Sequence, residues 1–228
     1  MSITSAVINR TALTERDGAE MFELFETMYE NVSRPRFHAD LAEKDWVVLL
    51  RENDRIAGFS TARRIDVAGT KALFSGDTIV AREHWDSLEL PRAWGRFVIG
   101  MAPVWWFLIS KGVRTYLYLP LYFNEFWPRH DAPTPPDAQR RLDSFARSKY
   151  PDDYRDGLIS FREPHGNLRP EFAAIPAHRE SDPHARFFIE RNPDYRRGTE
   201  LACLAEISEA NLRPAARRVL GLRRLSTP

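Results

Sequence analysis

Residues 104–110 read Val-Trp-Trp-Phe-Leu-Ile-Ser, apolar almost throughout. A strand with one solvated face alternates polar and apolar residues. An unbroken apolar run of this length is instead expected of a strand buried on both faces in the middle of a sheet. Pro103, just before it, ends the preceding helix. That helix begins near Pro91, a residue suited to a first helical turn, and runs through Trp94, Phe97, Val98 and Met101. Further upstream lie three runs of strand character, 46–51, 56–64 and 71–80. The turns Glu52-Asn53-Asp54 and Ala68-Gly69-Thr70 join them into an antiparallel meander. Simple alternation along the third run puts Asp77 on the same face as Ser75.

The chain opens with an amphipathic helix over 13–32. Thr14 and Asp17 stand three apart as an approximate capping box, and Met21, Phe22, Phe25, Met28 and Val32 recur at helical spacing as a core face. Beyond residue 110, the aromatic stretch 111–129 suits a helix except at Pro120, so a loop to 119 and a short helix over 120–127 are expected. Pro133-Thr134-Pro135-Pro136 is a rigid connection. A polar helix over 137–149 (buried face Leu142, Phe145 and Ala146), a strand over 158–161, and a helix over 183–191 capped by Asp182 follow. A buried strand over 201–207 and a basic helix over 211–222 close the reading.

The chain has 228 residues, 43% hydrophobic and 29% charged, enough for one core without a disulfide or metal staple. Its 33 basic and 32 acidic residues give a net charge of +1, which gives no general reason to expect a nucleic-acid partner. The single cysteine, Cys203, has no intramolecular partner, and in a buried strand it reads as a small apolar residue. His38, His130, His165, His178 and His184 are scattered, without metal-ligand spacing. No run is long enough to span a bilayer, no secretory signal is visible, and a cytoplasmic protein is expected.

The order helix, three antiparallel strands, helix, buried strand, short helix resembles the GNAT acyltransferase superfamily. Phe74-Ser75-Gly76-Asp77-Thr78-Ile79-Val80 resembles that superfamily's fourth strand, VWWFLIS its fifth, and the segment ending Tyr122-Phe123-Asn124-Glu125-Phe126-Trp127 the helix after it. The resemblance implies an α/β (α+β) fold, a mixed, mainly antiparallel central sheet flanked by helices. Its core would occupy 1–132, with a C-terminal extension, 133–228, packed on the same domain and completing the sheet. It implies an N-acyltransferase that moves an acyl group from a thioester, acyl-CoA or an acyl carrier protein, to a small-molecule amine. The alternative is a GNAT-fold binding or structural protein without catalysis. One departure is local. The segment 82–96 has no glycine before Gly95, so its backbone cannot wrap a pyrophosphate as the superfamily's glycine-spaced loop does.

On this reading the main chain of Thr78, Ile79 and Val80 receives the thioester arm. Asp77 is a candidate base, or else a structural hydrogen-bond acceptor. Glu83 and His84 are candidate bases or a solvated turn. Tyr116, Tyr118 and Tyr122 are candidates for protonating the thiolate, against a packing role. Arg92 and Arg96, four apart near a helix start, and Lys111 are candidate holders of a phosphate or phosphopantetheine, against solvated cations. Arg213, Arg217, Arg218, Arg223 and Arg224 form a basic end that would dock an acidic carrier protein or nucleic acid, or remain solvated.

Overall fold

The computed structural model describes residues 3–162, 165–175 and 177–222. Among them one sheet gathers nine strands. The first five are β1 (Ile3–Asn9), β2 (Trp46–Glu52), β3 (Arg55–Val67), β4 (Thr70–Val80) and β5 (Val104–Ser110). The rest are the short β6 (Phe126–Trp127), β7 (Tyr154–Arg155) and β8 (Leu158–Ile159), then β9 (Glu200–Ile207). Their spatial order is β1-β2-β3-β4-β5-β9-β8-β7, and β6 also pairs with β9. All of these ladders are antiparallel except the one between β4 and β5. VWWFLIS is thus central, with β4 on one side and β9 on the other.

Side-chain alternation divides the helices between the two faces. α1 (Glu15–Met28) and α2 (Arg34–Ala42) cover Val47, Leu49, Phe59 and Ile79. On the same face α6 (Pro136–Lys149) packs Leu142 and Phe145 against Phe74, Phe107 and Leu204. The opposite face carries α3 (Glu89–Ile99), α4 (Val113–Tyr116), α5 (Tyr118–Tyr122), α8 (Pro183–Arg191) and α9 (Pro214–Leu220). Val98, Tyr116, Phe188 and Leu220 from these helices meet Leu73, Trp106, Leu108 and Cys203. α7 (Pro170–Ala173) is a single turn. Nearby, Asn167–Leu168 pairs with Tyr29–Glu30 in a separate two-stranded ladder.

The fold is α/β, a mainly antiparallel central sheet flanked by helices. The capping box is present in both directions, Thr14 and Asp17 each bonding the other's backbone N–H. Three features differ from the sequence expectation. β1 is an edge strand paired with β2 along its whole length, and its largely exposed residues carry no core pattern. α2 is separate from α1, because the chain turns extended at Tyr29–Glu30. It buries only Phe37 and Leu41, too little periodicity to declare itself. The helix expected over 120–127 is replaced by α5 and β6. Pro120 falls in the first turn of α5, where a missing N–H removes no helical bond, and Phe126–Trp127 pairs instead with Ala205 and Leu204.

Candidate functional site

The site begins where β4 leaves β5. The two strands pair over Ala72–Ser75 opposite Trp105–Leu108 and then part. Beyond Ser75, the β4 edge from Gly76 to Val80 faces open space where the fifth strand would otherwise stand. At the same point β4 carries a bulge against β3. Ala62 pairs with Ser75 and Ser60 with Thr78, so Thr61 alone opposes both Gly76 and Asp77. A bulge re-aims the side chains that follow it.

This corrects the sequence expectation for Asp77. Ser75 faces the α3 side, where its Oγ accepts the Trp106 indole N–H at 2.8 Å. Asp77 instead turns to the opposite face, with Phe74 and Ile79. Gly76 was the available signal, since a glycine inside a strand often marks a bulge. A Cβ there would lie 2.8 Å from Lys44 Cε and closer still to the Thr61 hydroxyl.

A cavity of about 440 Å³ fills the parting and reaches both faces of the sheet. Its α2 side is polar. Asp77 shares that side with two ion pairs, Lys44 with the half-exposed Asp40 at 2.6 Å and Lys111 with the buried Glu200 at 3.3 Å. Lys44 is 1% exposed at its side chain and Glu200 is 9%. Lys111 also donates to the carbonyls of Gly166 (3.0 Å) and His165 (3.2 Å).

Asp77 adds a third carboxylate beside these two pairs, and when ionised it carries a negative charge that belongs to neither. Burial disfavours that charge, and the carboxylates of Asp40 and Glu200 oppose it further, against the pull of Lys44 and Lys111. The Asp77 carboxyl is accordingly pushed up to about 6. Burial also raises Glu200, although Lys111 counteracts it. The Tyr29 hydroxyl is raised by burial first and then by Asp77 and Glu200. Of this cluster, sequence reasoning singled out Asp77 and Lys111. Asp40 and Lys44 arrive on and just after the unanticipated α2, and Glu200 comes from the first residue of β9, 89 positions beyond Lys111.

The α3 side of the cavity is apolar, walled by Leu90, Trp94, Val98, Trp106, Phe123 and Leu220. Trp94 and Trp106 rings lie 4.6 Å apart, and the buried Trp94 indole N–H has no hydrogen-bond partner among the described residues. Thr78, Ile79 and Val80 line the parting. The Thr78 hydroxyl is 2.8 Å from that of Ser60, and the Val80 carbonyl accepts the Trp85 indole N–H at 2.8 Å. Tyr118 and Tyr122 both line the cavity with stacked rings 5.7 Å apart, and burial raises the Tyr122 hydroxyl. His84 lines it too, its Nε2 3.5 Å from a Glu52 carboxylate oxygen.

Other candidates stand elsewhere. Tyr116 is fully buried and its hydroxyl donates to the Pro128 carbonyl at 2.9 Å, so its proton is already engaged in the core. Glu83 is exposed on a turn of 3-10 helix over Arg82–His84, outside the cavity wall. Arg92 pairs with Glu89 and donates through Nε to the Val219 carbonyl at 3.2 Å, toward α9. Arg96, four residues on, is exposed on the α9 side, near Gly221. These two arginines do share a helix face, but the docked C-terminal helix has claimed it. At that C-terminal end, Arg213 donates to the Pro120 carbonyl. Arg217 donates to the Glu209 carbonyl at 3.1 Å, and Arg223 and Arg224 lie outside the described residues. Cys203 is buried, and burial raises its thiol far above the ordinary value.

The start of α3 is closed by its own residues. Ser87 Oγ accepts the Glu89 N–H at 3.2 Å, Pro91 has no N–H, and Arg92 donates its N–H to Leu88. One first-turn N–H, that of Leu90, is left, beside the Glu89 carboxylate. A helix N-terminus binds anions through several N–H groups and the dipole behind them, and these residues do not fit a pyrophosphate.

The parallel, parting β4–β5 pair within an otherwise antiparallel sheet gives the chain a GNAT-like fold. No protein-family model matches the chain, and no curated protein matches it. Among solved structures it is similar to Escherichia coli ElaA, at 12% identity and a TM-score of 0.42 over 57% of this chain and 95% of that one. It is also similar to an aminoglycoside acetyltransferase from an uncultured soil metagenomic sample, solved with sisomicin. There the identity is 15% and the TM-score 0.36, over 43% of this chain and 71% of that one. A third is the E. coli GNAT family N-acetyltransferase YhbS in complex with CoA, at 11% and 0.38, over 49% of this chain and 65% of that one. The fold assignment rests on the strand topology. Among the described residues no helix is long and apolar enough to cross a membrane.

Proposed function

We propose that this protein is an N-acyltransferase of GNAT type, in which an acyl thioester lies along the parted edge of β4 and an amine enters from the α2 side. The observation that carries this reading is Asp77. It is a carboxyl group raised to about 6, in the cavity beside the stretch of β4 after Ser75 that has no fifth-strand neighbour. A base with that value is ionised near neutral pH yet accepts a proton readily.

The Asp77 carboxylate, which belongs to neither ion pair, favours an incoming ammonium group. Asp77 takes one of its protons, and the freed nitrogen attacks the thioester carbonyl carbon. The C–N bond forms, the C–S bond breaks, and the second nitrogen proton leaves the tetrahedral adduct as the thiolate is protonated. Tyr118 or Tyr122 supplies that proton and is restored by the adduct's. The products are an amide and a free thiol. The thioester oxygen is polarised by main-chain N–H groups of the parted edge. On the apolar wall, the unpartnered Trp94 N–H suits an amide carbonyl of the donor's arm. The apolar lining suits the acyl chain or the arm itself.

Asp77→Asn keeps the shape of the side chain and removes the base. With a panel of acyl-CoA and acyl-carrier donors and assorted amines, turnover should fall about 10²- to 10⁴-fold while donor binding persists. Unchanged turnover in Asp77→Asn would remove Asp77 from the mechanism. Absence of turnover in the unaltered protein with every donor would return the reading to a GNAT-fold binding protein.

A further inference from the structure

The cavity mouth on the α3 side holds a cation to which the proposed chemistry gives no task. Arg114, on α4, lines the cavity and is exposed. Its guanidinium lies 4.6 Å above the Trp85 ring. No carboxylate pairs with it among the described residues, unlike the cavity lysines, which Asp40 and Glu200 neutralise. Trp85 is itself fixed to the strand, because its indole N–H donates to the Val80 carbonyl. Arg114 therefore stands over the far end of the parted edge, with roughly 10 Å of strand between Val80 and Asp77 at the usual rise per residue. Phe172 packs on Trp85 with ring centres 5.6 Å apart and helps hold the platform.

The two arginines of α3 are turned away from this end. Arg92 is tied to Glu89 and the Val219 carbonyl, and Arg96 sits on the α9 side. The α3 N-terminus has one remaining N–H and a carboxylate beside it. A guanidinium lying on an aromatic face keeps its plane fixed and its edge N–H groups available, the geometry that grips a phosphate through two parallel bonds.

We propose that Arg114, laid on Trp85, holds the phosphate of a 4′-phosphopantetheine arm at the cavity mouth and does there what the α3 N-terminus is not built to do. The inference rests on the acyl-transfer reading, since a thioester donor brings that arm. Coenzyme A and acyl carrier protein share the group, so the chemistry recognised is the same from either source.

The test compares three donors bearing one acyl chain, namely acyl-CoA, acyl carrier protein and acyl-pantetheine, which lacks the phosphate. Each is titrated calorimetrically against the unaltered protein, Arg114→Ala and Arg114→Lys. Arg114 is exposed, so both variants should fold, and their melting temperatures check this. Arg114→Ala should weaken a phosphate-bearing donor about tenfold, the loss of one charge-assisted contact, and leave acyl-pantetheine unchanged. Arg114→Lys should fall between. A loss confined to acyl-CoA, or to the carrier protein, supports the proposal and names the source. Equal weakening of acyl-pantetheine would show that Arg114 merely shapes the mouth, and unchanged binding of all donors would overturn the proposal with the acyl-transfer reading intact. If the unaltered protein binds none of the three, the acyl-transfer reading fails and this inference with it.

Discussion

The two halves of β4 are continuous in sequence and opposite in purpose. From Ala72 to Ser75 the strand has a neighbour on each side, β3 and β5. Phe74 is 2% exposed, packed on Phe107 at 5.6 Å between ring centres. From Gly76 to Val80 it keeps β3 and loses β5, and the space opened is where the cavity lies. The paired half contributes to stability by excluding water from large side chains. The parted half leaves backbone unpaired beside a carboxyl that burial has raised. A carboxylate and a free edge are both liabilities in a sheet interior, and here they coincide at one bulge. The candidate site lies where the strand gives up its second neighbour, and the packed core where it keeps both.

Three measurements would break or sharpen this contrast. The largest effect belongs to the paired half. Phe74→Ala should cost about 3–5 kcal/mol by denaturant unfolding, with residual turnover scaling to the folded fraction. A cost below about 1 kcal/mol would mean that the paired half does not anchor the sheet.

The second effect belongs to the parted half and is one of pH. On the proposed mechanism, turnover should fall about tenfold per unit below pH 6 as Asp77 gains its proton. Asp77→Asn should show a low profile without that limb. The stability consequence has the opposite sign from an ordinary ion-paired carboxylate. Folding raises Asp77 from its ordinary value of 3.8 to about 6, so the folded state binds the proton more tightly than the unfolded chain. The resulting penalty is absent below pH 3.8 and complete above about 6. At this site the protein loses stability as pH rises through that window, and Asp77→Asn should abolish that part of the slope. A stability profile identical in the two proteins across that window would contradict the raised value.

The smallest effect lies off the strand. Thr14→Ala removes the α1 cap and should cost about 1 kcal/mol without altering turnover of the folded protein. A specific loss of turnover would show that α1 governs the site as well as the core.

Local rules made part of this molecule readable. The apolar run VWWFLIS, the two turns of the meander, the Thr14–Asp17 cap and the Asp182 cap each depend on a few adjacent residues, and each is found in the structure. The expectation for Asp77 failed at its face, since a count of two along the strand ignores the bulge that Gly76 permits. Tyr116, Arg92 and Arg96 have the right chemistry in the sequence, but nothing adjacent to them reveals the Pro128 carbonyl or α9 waiting to occupy them. Asp40, Lys44 and Glu200 give no sign in sequence of meeting Asp77.

The sequence by itself thus determined the central strand, the meander and the capped starts of α1 and α8, because hydrophobic period and capping act over a few residues. Only the tertiary structure decided which face Asp77 takes, which charges surround it and which cations are left over for a ligand. Those depend on ladders and ion pairs that join residues 40, 77, 111 and 200, and on burial that no single segment possesses before the sheet closes.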